Sequence, residues 1–402
     1  MNILILQETD WIHRGPHTQH HIFERLSTLP QVNIIVLDYD IDKRMRSKTL
    51  LVKERKYNNI HKVINTSKIS IIRTSHLQIP YLRRISALIT NFFKILKIFR
   101  NNKPDIVISF ALSNGLLGFF LSKLFNIPYL FFYIDILHEL VPIEFAKNLA
   151  KILTLPLLNY SDQIIVHTEI QKKYLENMGA QGNKIEISPD GISLENTIVN
   201  SDKLLKLKNK FSIKEKDFVI FFMGYLYEFA GLKEIIDYYD QKVKKGELNL
   251  RFLILGDGGI YPSLKKYIEK LNAQWVILAG RVPFNDITEY IELADLCLLS
   301  FAINDITKEI TPIKIIEYMA MKKPVLSTAL PGVISQLGYN SSVIFTEDQE
   351  TLIKRIEDLV SQKERLKNLG REGYDLVKNE FTWEKIIKDF KTIMFKTIKN
   401  SN

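Results

Sequence analysis

The sequence predicts an α/β protein built from two Rossmann-like, doubly wound domains. Short β-branched or aromatic runs alternate with segments of helical period from one end of the chain to the other. Several of those runs are apolar throughout instead of alternating, which suits parallel strands covered on both faces. The series also pauses once, at a polar, lysine-rich stretch around Ser201–Lys210, and then restarts. Strand–helix–strand order at these intervals is the pattern of doubly wound sheets.

Taken in order, the expected strands of the first half are Asn2–Leu6, Val32–Leu37, Ile69–Arg73, Asp105–Phe110, Tyr129–Ile134, Gln163–His167 and Ile185–Ile187. The second half gives Phe218–Met223, Arg251–Leu255, Trp275–Ala279, Leu296–Ser300, Pro324–Ser327 and Val343–Phe345. The expected domains are residues 1–200 and 201–380, closed by a helical segment at 381–402. Trp383, Ile386, Ile387 and Phe390 share one side of that last segment, a stripe suited to docking on the body of the protein.

At 402 residues, the chain is too long for one ordinary domain and suits two. Its 46% apolar and 25% charged residues exclude a disordered chain. The single cysteine, Cys297, has no internal partner and sits in an apolar run, so a buried strand position in a reducing compartment is expected. The first residues carry no basic leader or cleavage site. The most apolar stretch, Gly115–Ile134, is broken by Lys123, Asn126 and Pro128, and reads as a helix followed by a buried strand. These features predict a cytoplasmic protein.

The most specific local signal is the segment from Glu309 to Val325, in which seven residues separate Glu309 from Glu317. Thr311 and Pro312 mark a helix start, with Pro312 expected in the first turn, where its missing N–H costs nothing. The free N–H groups of such a turn, with Ile313 following, form an anion site, and Lys314 adds a cation. Glu317 suits paired hydroxyls such as those of a ribose, and Glu309 could reach a sugar. From spacing alone, an ordinary surface helix with two solvated acids fits as well.

That segment, continuing through Tyr318-Met-Ala and Pro324-Val, resembles the signature of retaining glycosyltransferase family 4. Gly224 and Gly231, Gly256 with Gly258 and Gly259, and Gly280-Arg281 are similar to the glycine turns of that family's donor domain. Ser188-Pro-Asp-Gly191 resembles the end of its first domain, with Asp190 in place of Asn. The resemblance spans nearly the whole chain. It implies a GT-B fold, two Rossmann-like domains facing a cleft, with a last helix that returns to the first. It implies a UDP- or GDP-linked nucleotide sugar as donor and transfer with retention. It also implies no metal and no resident cofactor. Gly224, Gly256, Arg281, Thr311, Pro312, Ile313 and Glu317 then become donor-binding candidates, and Glu309, Lys314 and Asp135 catalytic ones. One departure stands out. The Arg and Lys that hold the donor diphosphate in this family are replaced by Tyr225 and Ala230, so either the phosphates rely on the helix start with Lys314 and Arg281, or donor binding is weak or absent.

The loop after the first strand, Trp11–His21, resembles the family's glycine-containing acceptor-side loop and makes Gly15 and His17 candidates. His17 and His21 are spaced i, i+4, as metal ligands can be, but no third ligand lies nearby. Asp135 follows the strand Tyr129–Ile134 and is a candidate proton acceptor, with His138 and Glu139 beside it; a helix-capping role for Asp135 also fits.

Net charge supplies the last clue. From Lys43 to Pro104 the chain holds sixteen Lys or Arg against one acid, Glu54, a local +15, so the remainder carries −5 of the total +10. Within it, Ile85, Leu88, Ile89, Phe92, Leu96 and Phe99 form an apolar stripe, with Arg83, Thr90, Lys94 and Lys97 opposite. Such a helix either lies on an anionic membrane surface or packs on its own sheet. The expected acceptor is a polyprenyl-phosphate-linked or cell-surface glycan at the cytoplasmic face. No RNA- or DNA-binding module accompanies the basic region, which argues against a nucleic-acid partner. The rivals are a nucleotide-sugar epimerase of the same fold and a catalytically silent partner subunit.

Overall fold

The computed structural model describes residues 1–39, 50–79, 82–134, 144–308, 310–339 and 342–401. The chain divides into two compact units, Met1–Asp190 with Trp383–Asn402, and Gly191–Thr382.

The strands of the first unit are β1 (Asn2–Leu6), β2 (Asn33–Leu37), β3 (Leu51–Val52), β4 (Arg55–Ile60), β5 (Ile69–Arg73), β6 (His76–Leu77), β7 (Ile106–Ser109), β8 (Tyr129–Phe132), β9 (Gln163–Val166) and β10 (Ile185–Ile187). Eight of them form one sheet in the order β10-β9-β8-β7-β1-β2-β5-β4, parallel except for the edge pair β4–β5. The central strands β7, β8 and β9 are buried along their whole length, as strands covered by helices on both faces must be. The helices are α1 (Thr18–Ser27), α2 (Leu82–Asn101), α3 (Ser113–Phe125), α4 (Glu144–Tyr160) and α5 (Glu169–Asn177). One face of the sheet packs on α2, α3, α4 and α5 and the other on α1. Glu8, just past β1, caps α3 from a distance: its Oε1 accepts from the Ser113 N–H at 2.5 Å and the Asn114 N–H at 3.1 Å.

The second unit opens with α6 (Ser201–Lys210) and continues through β11 (Phe218–Met223), α7 (Leu232–Lys244), β12 (Leu250–Leu255), α8 (Tyr261–Leu271), β13 (Val276–Gly280), α9 (Ile287–Glu292), β14 (Leu296–Leu299), α10 (Ile313–Ala320), β15 (Val325–Thr328), α11 (Pro331–Leu337), β16 (Val343–Thr346), α12 (Gln349–Val360) and α13 (Lys363–Glu380). Its six strands are parallel in the order β13-β12-β11-β14-β15-β16. Cys297 is fully buried in β14, where burial pushes its thiol pKa up. The chain then returns to the first unit as α14 (Trp383–Ser401). Trp383, Ile386, Phe390 and Met394 enter the core on the α1 side, where Phe390 meets Phe23 edge-on at 5.6 Å. Each such buried side chain contributes about 1.5–3 kcal/mol.

Two expectations need correction. The apolar stripe of α2 is not one face. Ala87, Asn91, Ile95 and Phe99 are buried against the sheet, whereas Ile85, Ile89 and Phe93 point outward. Thr90 and Lys94, expected opposite the stripe, turn toward protein. The Thr90 hydroxyl donates to the Ser75 carbonyl at 2.7 Å, and Lys94 pairs with Glu54 at 2.6 Å. The sheet selects its own contact face, and α2 is apolar on more than that face. Pro312, in turn, is the cap residue before α10, with φ −71° and ψ 122°, and does not sit in the first helical turn. Its extended ψ places it one residue outside the helix.

Candidate functional site

Ligands of parallel α/β sheets gather at the carboxyl ends of the strands. In the second unit those ends bring three glycines together. The Gly224 N–H donates to the Leu255 carbonyl at 2.9 Å, and the Gly256 N–H to the Gly280 carbonyl at 2.8 Å. Gly224 and Gly256 hold φ of +127° and +134°, values that side chains disfavour. A Cβ on Gly256 would lie 1.9 Å from the Gly224 carbonyl oxygen, so these turns close on each other only as glycines.

Lys314, in the first turn of α10, reaches over this cradle. A Cβ on Gly224 would stand 2.6 Å from its Nζ. The ammonium lies 4.4 Å from the Phe222 ring centroid and 4.9 Å from that of Phe301. Burial lowers its pKa to about 8, against a pull upward from Glu317. Burial likewise raises the Glu317 carboxyl, and Lys314 holds it partly down. Tyr318, fully buried beside them, locks α10 to the sheet, its hydroxyl accepting from the Met223 N–H at 3.0 Å. The start of α10 carries no side-chain cap, and Thr311 and Pro312 lie half-buried just before it. Lys314, Glu317, Gly224 and Gly256 therefore form one cluster. Ile313 and Arg281 are exposed at its side, Arg281 directly after Gly280. Glu309 lies outside the described residues.

The two positions that depart from the family pattern differ in character. Ala230 is fully buried, and its carbonyl accepts from the Ser300 hydroxyl at 2.5 Å. Tyr225 is 52% exposed and begins a line of rings: Tyr225–Tyr227 at 4.5 Å, Tyr227–Phe229 stacked at 4.6 Å, and Phe229 edge-on to Phe301 at 5.1 Å. Phe301 is also one of the rings that enclose Lys314.

In the first unit, the loop after β1 is built on buried charge. Arg73 grips Asp38 with two nitrogens, each at 2.9 Å, and pairs with Asp10 as well. Asp10 accepts from the Ile12 and His13 N–H groups, and Asp38 from that of Trp11, all at 2.9 Å. Burial works against the Asp10 charge, but the bonds from His13 and Arg73 outweigh it and lower its pKa; for Asp38 burial wins and the pKa rises. This network fixes the turn that leads to Gly15 and His17. A Cβ on Gly15 would sit 2.8 Å from the His17 nitrogen, and the His17 N–H donates to His20 Nδ1 at 3.0 Å. His20 is buried, with its pKa lowered to about 4 by that burial. His21 stacks on Trp383, with ring centroids 4.3 Å apart. Asp135, His138 and Glu139 lie outside the described residues.

His167 is a further candidate, one that sequence reasoning placed only as the end of a strand. It directly follows β9, its Nδ1 lies 2.7 Å from the Ser188 carbonyl, and its Nε2 is buried with no hydrogen-bond partner among the described residues. A proton on Nδ1 leaves Nε2 as an acceptor. The signal available was its place at a strand's carboxyl end. The Thr18 hydroxyl donates to Asp190 nearby in the chain fold.

Comparison with known proteins identifies the family and the fold. Residues 205–376 match the family model described as Glycosyl transferases group 1, and residues 48–196 the one described as Glycosyltransferase Family 4. An uncharacterized glycosyltransferase of Methanocaldococcus jannaschii is 27% identical over 143 residues, 35% of this chain but only 39% of that protein. The N,N'-diacetylbacillosaminyl-diphospho-undecaprenol alpha-1,3-N-acetylgalactosaminyltransferase of Campylobacter jejuni is 25% identical over 295 residues, 70% of this chain and 74% of that enzyme. The alpha-monoglucosyldiacylglycerol synthase of Acholeplasma laidlawii is 24% identical over 317 residues, 75% and 78% of the two chains. Among solved structures, Anabaena HepE in complex with UDP superposes with a TM-score of 0.72 at 14% identity, covering 98% of this chain and 100% of that one. At that identity, the likeness is one of fold.

Proposed function

This chain belongs to glycosyltransferase family 4 and has the GT-B fold, and from that premise we propose that it moves a hexosyl group from a UDP- or GDP-sugar to a lipid-linked or cell-surface acceptor, with retention of configuration. The observation that carries the donor side is the Lys314 ammonium poised over Gly224 at the start of α10. Negative charge develops on the departing diphosphate, and a cation held in place beforehand stabilises it without reorganisation. The turn at Thr311, Pro312 and Ile313 adds the backbone N–H groups that flank Pro312, which has none itself, and Arg281 stands at the rim. Glu317 accepts the ribose hydroxyls, and Glu309 the donor sugar. Tyr225 removes a cation that the family uses, which puts more of the phosphate charge on Lys314.

On the acceptor side, Gly15, His17 and His138 contact the incoming group, with Asp135 as a polar contact or proton acceptor. The acceptor oxygen attacks C1 from the face the diphosphate leaves. The C1–O–phosphate bond breaks as the new C1–O bond forms, and the hydroxyl proton passes to the leaving phosphate. No covalent carboxylate is needed; retention rests on the family premise. The Campylobacter relative, whose name specifies a diphospho-undecaprenol compound, and the Acholeplasma relative, whose name specifies a glucosyldiacylglycerol, support a membrane-borne acceptor, the first of them a polyprenyl-phosphate-linked glycan. The basic stretch 43–104 supports work beside an anionic membrane on the cytoplasmic side.

A thermal-shift screen with UDP, GDP, ADP and CDP, run beside Glu317→Ala, tests this. At 100 times its dissociation constant, the true ligand adds about 2.7 kcal/mol of stability. One diphosphate should stabilise the wild type and lose most of its effect in the variant. No response to any of the four at millimolar concentration overturns the donor site and brings the silent-subunit reading forward.

A further inference from the structure

Three neighbouring helices of the first unit, α2, α3 and α4, cover one face of its sheet side by side. Their inner sides carry Ile95 and Phe99, Phe119 and Leu121, and Leu157 and Leu158 into the core. Their outer sides are apolar too. Ile85, Ile89 and Phe93 follow one another along α2 at helical spacing, Phe120 and Leu124 do so on α3, and Ile152 stands out from α4. Phe93 is 62% exposed, Leu124 73% and Ile152 62%. A protein surface in water rarely leaves so many large apolar side chains together without a partner.

The charges on these helices are one-sided. Their fifty residues contain eight Lys or Arg and a single carboxylate, Glu144, at the first position of α4. Some of the cations pair with acids from elsewhere, as Lys123 does with Asp162 at 2.8 Å, Lys94 with Glu54 and Arg84 with Glu8. Lys97 and Arg100 are exposed and continue the line of Ile85, Ile89 and Phe93 along α2, and Lys151 is exposed beside Ile152. Among the described residues, no helix is long and apolar enough to cross a membrane.

We propose that the outer face of α2, α3 and α4 is a docking surface for an anionic lipid bilayer. Ile89, Phe93, Phe120 and Leu124 enter the boundary between headgroups and acyl chains, while Lys97 and Arg100 meet lipid phosphates. Charge complementarity selects this occupant. Apolar side chains flanked by cations match a layer that is hydrocarbon beneath and anionic above. Protein–protein interfaces are ordinarily depleted in Lys, whereas Lys97 and Lys151 stand beside these apolar side chains. The inference deepens the proposed transfer to a membrane-borne acceptor and rests on it for its purpose, though its test does not need transfer.

The test is flotation of the full chain with vesicles of phosphatidylcholine, with and without phosphatidylglycerol, across a salt series. The wild type should float with the phosphatidylglycerol vesicles at low salt and progressively less as salt screens the contact. Phe93→Glu with Leu124→Glu should lower the partition at least about tenfold, since it places charge where hydrocarbon is expected. Lys97→Glu with Arg100→Glu should abolish the preference for phosphatidylglycerol. Because all four side chains face outward, the melting temperature and the response to nucleoside diphosphate should be those of the wild type. Absence of wild-type flotation at low salt overturns the proposal. So does flotation of the Phe93/Leu124 variant at the wild-type level, or a change in its oligomeric state with vesicle binding untouched, which would make the face a contact between copies. Vesicle binding without any nucleotide response breaks the proposed transfer instead and leaves the docking surface standing.

Discussion

Arg73 and Lys314 are both cations drawn out of water, one in each unit, and their surroundings are opposite. Arg73 is 3% exposed and gripped by two buried carboxylates, Asp38 and Asp10, which raise its pKa despite the burial. Lys314 faces the rings of Phe222 and Phe301, with Glu317 one turn along, and burial lowers its pKa. The first cation has its counter-charges supplied by the fold and serves to hold the Asp10–Arg14 turn. The second is under-compensated, so an incoming anion gains what the fold withholds. A buried charge that is satisfied is architecture, and one left short is a binding element.

Removing each cation should separate the two roles. Arg73→Met strands Asp10 and Asp38 without their partner, and we expect a loss of about 3–5 kcal/mol in urea unfolding of the full chain. A loss under about 1 kcal/mol would end the distinction. Lys314→Met should change stability by less than about 1.5 kcal/mol, since methionine fills the same apolar slot. It should weaken nucleoside diphosphate binding about ten- to a hundredfold by calorimetry, the worth of one charged hydrogen bond. A folded Lys314→Met protein that loses more than about 3 kcal/mol of stability but binds diphosphate at the wild-type affinity would reverse the assignment.

The pH dependence sharpens the same point. With a folded pKa of about 8, Lys314 loses its proton in the free protein well below an unfolded lysine. The unfolded chain then binds more protons between pH 8 and about 10.5, so this residue makes stability rise with pH across that window. Anion affinity runs the other way and should fall as pH climbs above 8. Both slopes should be missing from Lys314→Met. The smallest expected effect belongs to Tyr225→Arg, which returns a cation to an exposed rim. A gain of a few-fold in diphosphate affinity, about 0.5–1 kcal/mol, fits an exposed ion pair, and a loss would mean that the Tyr225–Tyr227 rings themselves contact the ligand.

What the sequence made legible follows from locality. The thirteen expected strands all occur, with ends moved by a residue or two, because a parallel strand buried on both faces is an apolar run that can be read by itself. β4 was not legible: Arg55–Ile60 is a polar edge strand whose pairing with β5 leaves half its residues exposed. The cluster of Lys314 and Glu317 could be read because both lie on one short helix. The grip of Arg73 on Asp38 and Asp10 joins residues 35 and 63 positions apart and left no local trace. Tyr318 was quoted only as part of a motif, and its bond to the Met223 N–H supplies the physical reason for it. The outward half of α2 was legible as apolar, but which side faced the sheet depended on neighbours that periodicity does not name.

The return of α14 has a consequence for biosynthesis. Residues 1–190 lack Trp383, Phe390 and Met394, which fill their core on the α1 side, until almost the entire chain has been made. Gly191–Thr382 is continuous and can fold while the ribosome is still working; the first unit must wait with its α1 side uncovered. The second unit is in effect an insertion within the first. Expression of 191–382 alone is therefore the natural excision, and 1–190 alone should aggregate unless a peptide spanning 383–401 is supplied in trans.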